Sequence, residues 1–316
     1  MKVLFPYIDN PSTGKAFFLS RLIPELEKIG VTCITDDSKK CDITFHLVKY
    51  DKNKFKNCKN IVRLDGVNVD KNKKSDNRQI SKSYSDTDGI IFQSNFSKKC
   101  CREFLEKKMN LKCKFIYDII PNGADPTFYD NLPIIPKKFK HTILCSSRWR
   151  RHKRLKEMTD IFLELSDKDI GLIVTGEPDY VVKNKNIDYV GRLNAKDLGS
   201  YYKSCDCFFF LSWIDNCPNN VVESLCAGTP CVVGDQGGTK ELIKEECGKI
   251  CDISDPFPFD YINVKNPPII SEKSRGVIIN NIKYLLNNKI TVKNQHVNIK
   301  NISIKYKNFF ERVMST

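Results

Sequence analysis

The chain has 316 residues, 41% of them apolar, which is long enough for two domains with ordinary globular cores. Its densest apolar run, residues 207–211, falls far short of the roughly 18 residues of a membrane span, so it reads as a buried strand. The formal charge of +14 is spread along the chain among asparagines and isoleucines, which disfavours nucleic acid as a partner and leaves an anionic membrane surface open. Residues 3–5 open the chain as a strand, and Asp9 arrives too early for a signal peptide, so the expectation is a soluble, cytoplasmic protein, at most peripheral at a membrane. A helical run follows over residues 16–29, where Phe18, Leu22, Leu26 and Ile29 share one face, Pro24 introduces a kink and Gly30 closes the helix. Further strands are expected at residues 43–45, 61–64, 90–92 and 115–117. Residues 126–140, with Pro133 and Pro136, lack periodicity and read as a joint. Strands then resume at residues 142–145, 172–175, 189–190, 207–210 and 231–233. After Pro256 the pattern weakens until a last helix over residues 302–314, whose Tyr306, Phe309, Phe310 and Val313 form an apolar stripe.

Strand-like runs alternating with helical ones predict an α/β protein with two Rossmann-like, doubly wound domains. The first covers residues 1–125, the linker 126–140 and the second 141–295, with residues 296–316 as a terminal helix. The cysteines, fourteen in all, lie scattered in apolar contexts without a C-x-x-C pair, so they read as reduced, mostly buried thiols.

The chemistry concentrates in the second half. Between Leu211 and Glu241, two acids, Asp215 and Glu223, stand eight positions apart across the start of a helix that opens at Pro218 and closes at Gly228. The loop just before that helix offers unpaired backbone N–H groups and the positive end of the helix dipole, a place suited to a diphosphate. Carboxylates beside such a cradle accept hydrogen bonds from hydroxyls, which together suit a nucleotide sugar. Arg148 and Lys153 follow the first strand of the second half and supply two cations for the same diphosphate. Ser12-Thr13-Gly14-Lys15 is a second glycine-containing turn, but it lacks the spacing of a Walker A loop.

These motifs resemble, in order, those of family 4 retaining glycosyltransferases, whose GT-B fold sets two Rossmann-like domains across a cleft. Pro121-Asn122-Gly123-Ala124-Asp125, Arg148 with Lys153, Val190-Gly191-Arg192, and the Asp215–Glu223 segment carry the match. It is strong over residues 121–241 and weak over the first 120. The resemblance implies that Glu223 holds the donor ribose and that Asp215, shorter by a methylene than the family's glutamate, faces the donor sugar. Arg148 and Lys153 would clamp the diphosphate, and the backbone N–H groups of Asn219, Asn220 and Val221 would lie near the sugar and phosphate. Gly191 and Arg192 would lie beside the base, and Thr13, Gly14 and Asn122 would border the donor. Where relatives place a histidine near the reacting sugar, this chain has Asp65, with His46 as the other candidate.

The implied activity is retaining transfer of a sugar from a nucleoside diphosphate donor to a glycan, glycolipid or small-molecule hydroxyl. The family works without a metal, and no cofactor is expected beyond the donor itself. The first domain would take the acceptor, the second the donor, and the last helix would pack back on the first domain. A non-catalytic sugar-nucleotide or glycan-binding protein and a nucleotide-sugar epimerase are the alternatives on the same fold.

Overall fold

The computed structural model describes residues 1–6, 14–48, 55, 57–253 and 256–316. The chain divides into two compact units: residues 1–124, 258–262 and 297–316 form the first, and residues 125–257 and 263–296 the second.

In the first unit β1 (Lys2–Leu4), α1 (Gly14–Lys28), β2 (Thr32–Ile34), β3 (Ile43–Leu47), β4 (Lys59–Leu64), α2 (Asn77–Ser85), β5 (Gly89–Phe92), α3 (Asn95–Cys101) and β6 (Ile116–Ile119) build one parallel sheet in the order β2-β1-β3-β4-β5-β6. Gly14 is the first helical residue of α1, and Thr13 lies outside the described residues. The order reverses at β1, so β1 and β3 flank the topological switch point. Central strands buried on both faces read as continuous apolar runs, as β5 does with Gly89-Ile-Ile-Phe92.

The second unit holds α4 (Thr127–Asp130), β7 (His141–Ser146), α5 (Leu155–Leu165), β8 (Ile170–Thr175), β9 (Ile187–Gly191), α6 (Ala195–Ser204), β10 (Cys207–Phe210), α7 (Asn219–Cys226), β11 (Cys231–Gly234), β12 (Gly248–Cys251) and α8 (Glu272–Asn287). Its sheet runs β12-β11-β10-β7-β8-β9, all parallel, and is the doubly wound order of a dinucleotide-binding sheet. Here the switch point falls between β7 and β10, and the loops leaving these two strands carry Arg148, Lys153 and Asp215. The core beneath is made by Ile143, Leu172, Val174, Phe209 and Val232 from the sheet and Met158, Phe162, Ile278 and Ile282 from the helices.

The chain ends in α9 (Ile299–Met314), which belongs to the first unit. Tyr306 and Phe310 pack on Phe45 of β3, each with ring centroids 5.7 Å away, and Tyr306 also meets Phe18 of α1 at 5.8 Å. The stripe read from the sequence is therefore one wall of the first core, in which Phe309 and Val313 are also fully buried.

Several elements differ from the sequence expectation, among them α4, a single helical turn within the stretch read as a joint. The short strands β2 and β12 and the helix α8 appear where no element was expected. Both strands are sheet edges with partly exposed residues, so neither shows an apolar run. In α8 the core stripe of Ile278, Ile282, Leu285 and Leu286 is diluted by lysine and asparagine on the outer face. Asn219, not Pro218, begins α7, and Pro218 serves as its N-cap with φ −68° and ψ 123°.

No helix among the described residues is long and apolar enough to cross a membrane. All fourteen cysteines are free thiols, ten of them buried.

Candidate active site

The second unit assembles its candidate residues at the switch point. Beyond Ser146, the last residue of β7, the chain passes the exposed Arg148 and buries the ring of Trp149, whose Nε1 donates to the Thr175 carbonyl at 2.7 Å. A short 3-10 turn over Arg151–Lys153 then presents Lys153, and Arg154 ends it in the left-handed region with φ +61°. Such a conformation costs a non-glycine residue about 1–2 kcal/mol. Arg154 is fully enclosed, and its Nη2 donates to the Pro268 carbonyl at 2.9 Å. The same burial lowers its pKa to about 10.

The loop leaving β10 meets this turn through its backbone. The Trp213 N–H donates to the His152 carbonyl at 2.9 Å, so the two loops that carry Lys153 and Asp215 are joined. Lys153 Nζ donates to Asp215 Oδ2, and the pair is mostly shielded, with side chains 16% and 18% exposed. The ammonium also lies 5.4 Å from the centroid of Phe210, whose ring face favours a cation.

Asp215 is held from the other side by the loop after β11. The Gly238 N–H donates to the Asp215 carbonyl at 2.7 Å. Gly237 stands at φ +65°, and a Cβ there would come within 2.6 Å of the Asp215 carbonyl oxygen and 3.0 Å of its nitrogen. Only glycine fits such an approach without moving the backbone of the acid.

At the start of α7, Pro218 provides no side-chain cap, so the first turn is not closed by its own N-cap residue. Asn220 spans to the neighbouring strand, its Nδ2 donating to the Ser146 carbonyl at 2.6 Å. Its Oδ1 accepts from the Val221 N–H at 2.9 Å, so that N–H is directed to a side chain of the same turn. Glu223, half-buried, lies one turn into α7. Beneath it is the fully buried Tyr202 of α6, whose hydroxyl burial pushes well above its ordinary range, with the Glu223 carboxylate adding to the effect.

Gly191 ends β9 with φ +72° and open space on its Cβ side, and its carbonyl accepts from the Gly176 N–H at 2.7 Å. Arg192 follows it and is exposed. In the second unit the structure thus joins Lys153 with Asp215 and Asn220 with Ser146, on loops that converge at the C-terminal edge of the sheet.

The remaining candidates lie in the first unit. Asp65 follows β4, and its Oδ1 accepts from Arg63 Nη1 at 2.7 Å and from Gln93 Nε2 at 2.6 Å. Arg63 is wholly buried, rests 4.3 Å from the Phe18 ring and also donates to Asn122 Oδ1. Asn122 is therefore a partner of this buried arginine. His46 is buried against Phe55, with its Nε2 2.8 Å from Thr44 Oγ1, and burial lowers its pKa to about 4. It is a neutral, packed histidine at pH 7.

Sequence reasoning did not single out Gly237, Gly238, Arg154, Phe210, Arg63 or Gln93. A G-G pair between a strand and the next turn was the one local signal; the others act through partners distant in sequence.

Residues 133–256 match the family model described as glycosyl transferases group 1. Residues 133–256 are a group 1 glycosyltransferase domain. That domain, a glycosyltransferase's, is an enzyme's, and Lys153, Asp215 and Glu223 fall within the matched residues. No curated protein matches the chain. Among solved structures, sucrose-phosphate synthase from Thermosynechococcus elongatus is similar over 100% of this chain and 99% of its own, with TM-score 0.71 and 12% identity. Anabaena Alr3699/HepE in complex with UDP-glucose is similar over 100% of both chains, with TM-score 0.61 and 13% identity. A glycosyltransferase from Rickettsia africae covers 100% of this chain and 99% of its own, with TM-score 0.61 and 14% identity. The two Rossmann-like units are those of the GT-B class of glycosyltransferase folds.

Proposed function

We propose that the chain is a retaining, family 4 glycosyltransferase that moves a sugar from a nucleoside diphosphate to an acceptor hydroxyl. The observation that carries this reading is the joining of Lys153, Asp215 and the start of α7 at the switch point of the second sheet. A cation, a helix N-terminus and two carboxylates at one strand edge match a diphosphate with a hydroxyl-bearing group at each end. That Anabaena HepE is found with UDP-glucose supports a donor of this class.

In this reading Glu223 accepts hydrogen bonds from the ribose, and Gly191, open on its Cβ side, lets the base approach the backbone. Arg148, Lys153 and the first turn of α7 face the diphosphate. As the bond to the sugar breaks, negative charge grows on the departing phosphate, and cations already in place stabilise that state more than the ground state. Asp65, fixed by Arg63 and Gln93, is proposed to act on the acceptor hydroxyl. We further propose that no metal or cofactor takes part, and that the acceptor is a glycan, glycolipid or small molecule met in the cytoplasm or at a membrane surface.

The test is thermal unfolding with UDP, GDP and ADP and their sugars, since a true donor raises the midpoint by mass action. Glu223→Ala removes a charged hydrogen-bond acceptor and should weaken a ribonucleotide by about 10- to 100-fold. It should leave the 2′,3′-dideoxy analogue nearly unchanged. Absence of any shift with all three nucleotides would sink the reading. Binding without turnover would favour a sugar-nucleotide-binding protein.

A further inference from the structure

The contact between Lys153 and Asp215 gives the two residues a joint role that neither has alone. Lys153 is the cation set between two loops at the strand edge, and its ammonium is engaged by Asp215 Oδ2. The carboxylate cannot drift away, because its backbone is fixed by the Gly238 N–H and by the close approach of Gly237. Nor is the ammonium loosely placed, since Phe210 lies beneath it and Arg154 anchors its turn. We propose that Asp215 is the resident counterion of the phosphate-binding lysine, displaced by the donor's diphosphate and then taken up by the donor sugar's hydroxyls. The proposal rests on the donor-site reading above.

Its physical basis is competition for one ammonium in a shielded place. A diphosphate carries more charge than a carboxylate and gains the first turn of α7 as well, so it can win. Were the ammonium to bridge both, Asp215 oxygens would face phosphoryl oxygens, and like charges a few ångströms apart repel. Free nucleoside diphosphate suffers this repulsion with nothing to offset it. A nucleotide sugar supplies hydroxyls that donate to the displaced carboxylate. The site would therefore hold the intact donor in preference to the spent diphosphate, which favours product release. Asp215 is a specificity-determining group for the sugar-bearing ligand, and it positions Lys153 while the site waits.

The test is titration calorimetry of UDP, GDP, ADP and UDP-glucose against wild type, Asp215→Asn, Lys153→Met and the double variant. Asparagine keeps the shape and removes the charge. Asp215→Asn should bind the free diphosphate about 10-fold tighter, a gain that a merely structural role for Asp215 would not produce. The nucleotide sugar should gain less, because its hydroxyls lose a charged acceptor. In the Lys153→Met background the same Asp215→Asn change should lose the part of this gain that comes from competition for the ammonium and keep only the part due to direct repulsion, so the two substitutions should be non-additive. Equal or weaker diphosphate binding by Asp215→Asn, with its unfolding midpoint unchanged, overturns the inference alone. Failure of the wild type to bind any of the ligands overturns the donor-site reading and this inference with it.

Discussion

Replacing Gly237 by alanine would set a methyl group 2.6 Å from the Asp215 carbonyl oxygen and 3.0 Å from its nitrogen. Neither contact can be relieved by a side-chain rotation, since both partners are backbone. Overpacking of this kind costs about 1–3 kcal/mol. The left-handed φ of +65° adds about 1–2 kcal/mol for any residue with a Cβ. The two contributions can be separated, because Gly228 has φ +85° with nothing within 4 Å of its Cβ. Gly228→Ala should therefore cost only the dihedral part, about 1–2 kcal/mol. Urea unfolding of both variants reads the difference, and Gly237→Ala should be the less stable by roughly 1–3 kcal/mol. It should also lose turnover, since the strain falls on the residue that holds Lys153. Equal destabilisation by the two substitutions, with turnover intact in Gly237→Ala, would refute the claim that this loop fixes Asp215.

Two further predictions concern the first unit. His46 is held at about 4 in the fold, below its ordinary value of 6.5, so its contribution to stability is complete above about pH 6.5 and is lost as pH falls toward 4. Between pH 7 and pH 5 that loss amounts to about 2 kcal/mol, and His46→Gln should flatten the pH dependence by this amount in urea titrations; identical slopes for both proteins would count against a buried neutral imidazole. Phe310 is fully buried against Phe45 and Tyr306, so Phe310→Ala should cost about 3–5 kcal/mol in unfolding free energy. A loss below about 1 kcal/mol would mean that α9 contributes little to the first core.

Much of the second unit was legible in the sequence because its elements are locally decisive. Cys207–Phe210 and Cys231–Gly234 are short apolar runs bounded by turn residues, and Pro218 with Gly228 brackets α7. Arg148, Lys153, Asp215 and Glu223 could be placed for the same reason, since each lies in the loop after a strand or in the first turns of a helix. What their side chains touch could not be read. Lys153 and Asp215 are 62 residues apart, and Arg63 and Asn122 are 59 apart, so these pairings exist only once the sheets are formed. The cap that Asn220 places on the Val221 N–H is local, yet it depends on a side-chain rotamer that composition does not specify. Edge strands β2 and β12 escaped because half-exposed residues give neither a continuous nor an alternating apolar signal.

The measurement closest to the central claim is release of nucleoside diphosphate from UDP-, GDP- and ADP-sugars by the wild-type chain and by Lys153→Met. Removing one preorganised cation from a developing phosphate charge should cost about 10²- to 10³-fold in kcat. The account predicts turnover of at least one donor by wild type, lost to that extent in the variant, with the transferred sugar keeping its anomeric configuration by NMR. Equal turnover in both proteins, or none with any donor and acceptor, would contradict it.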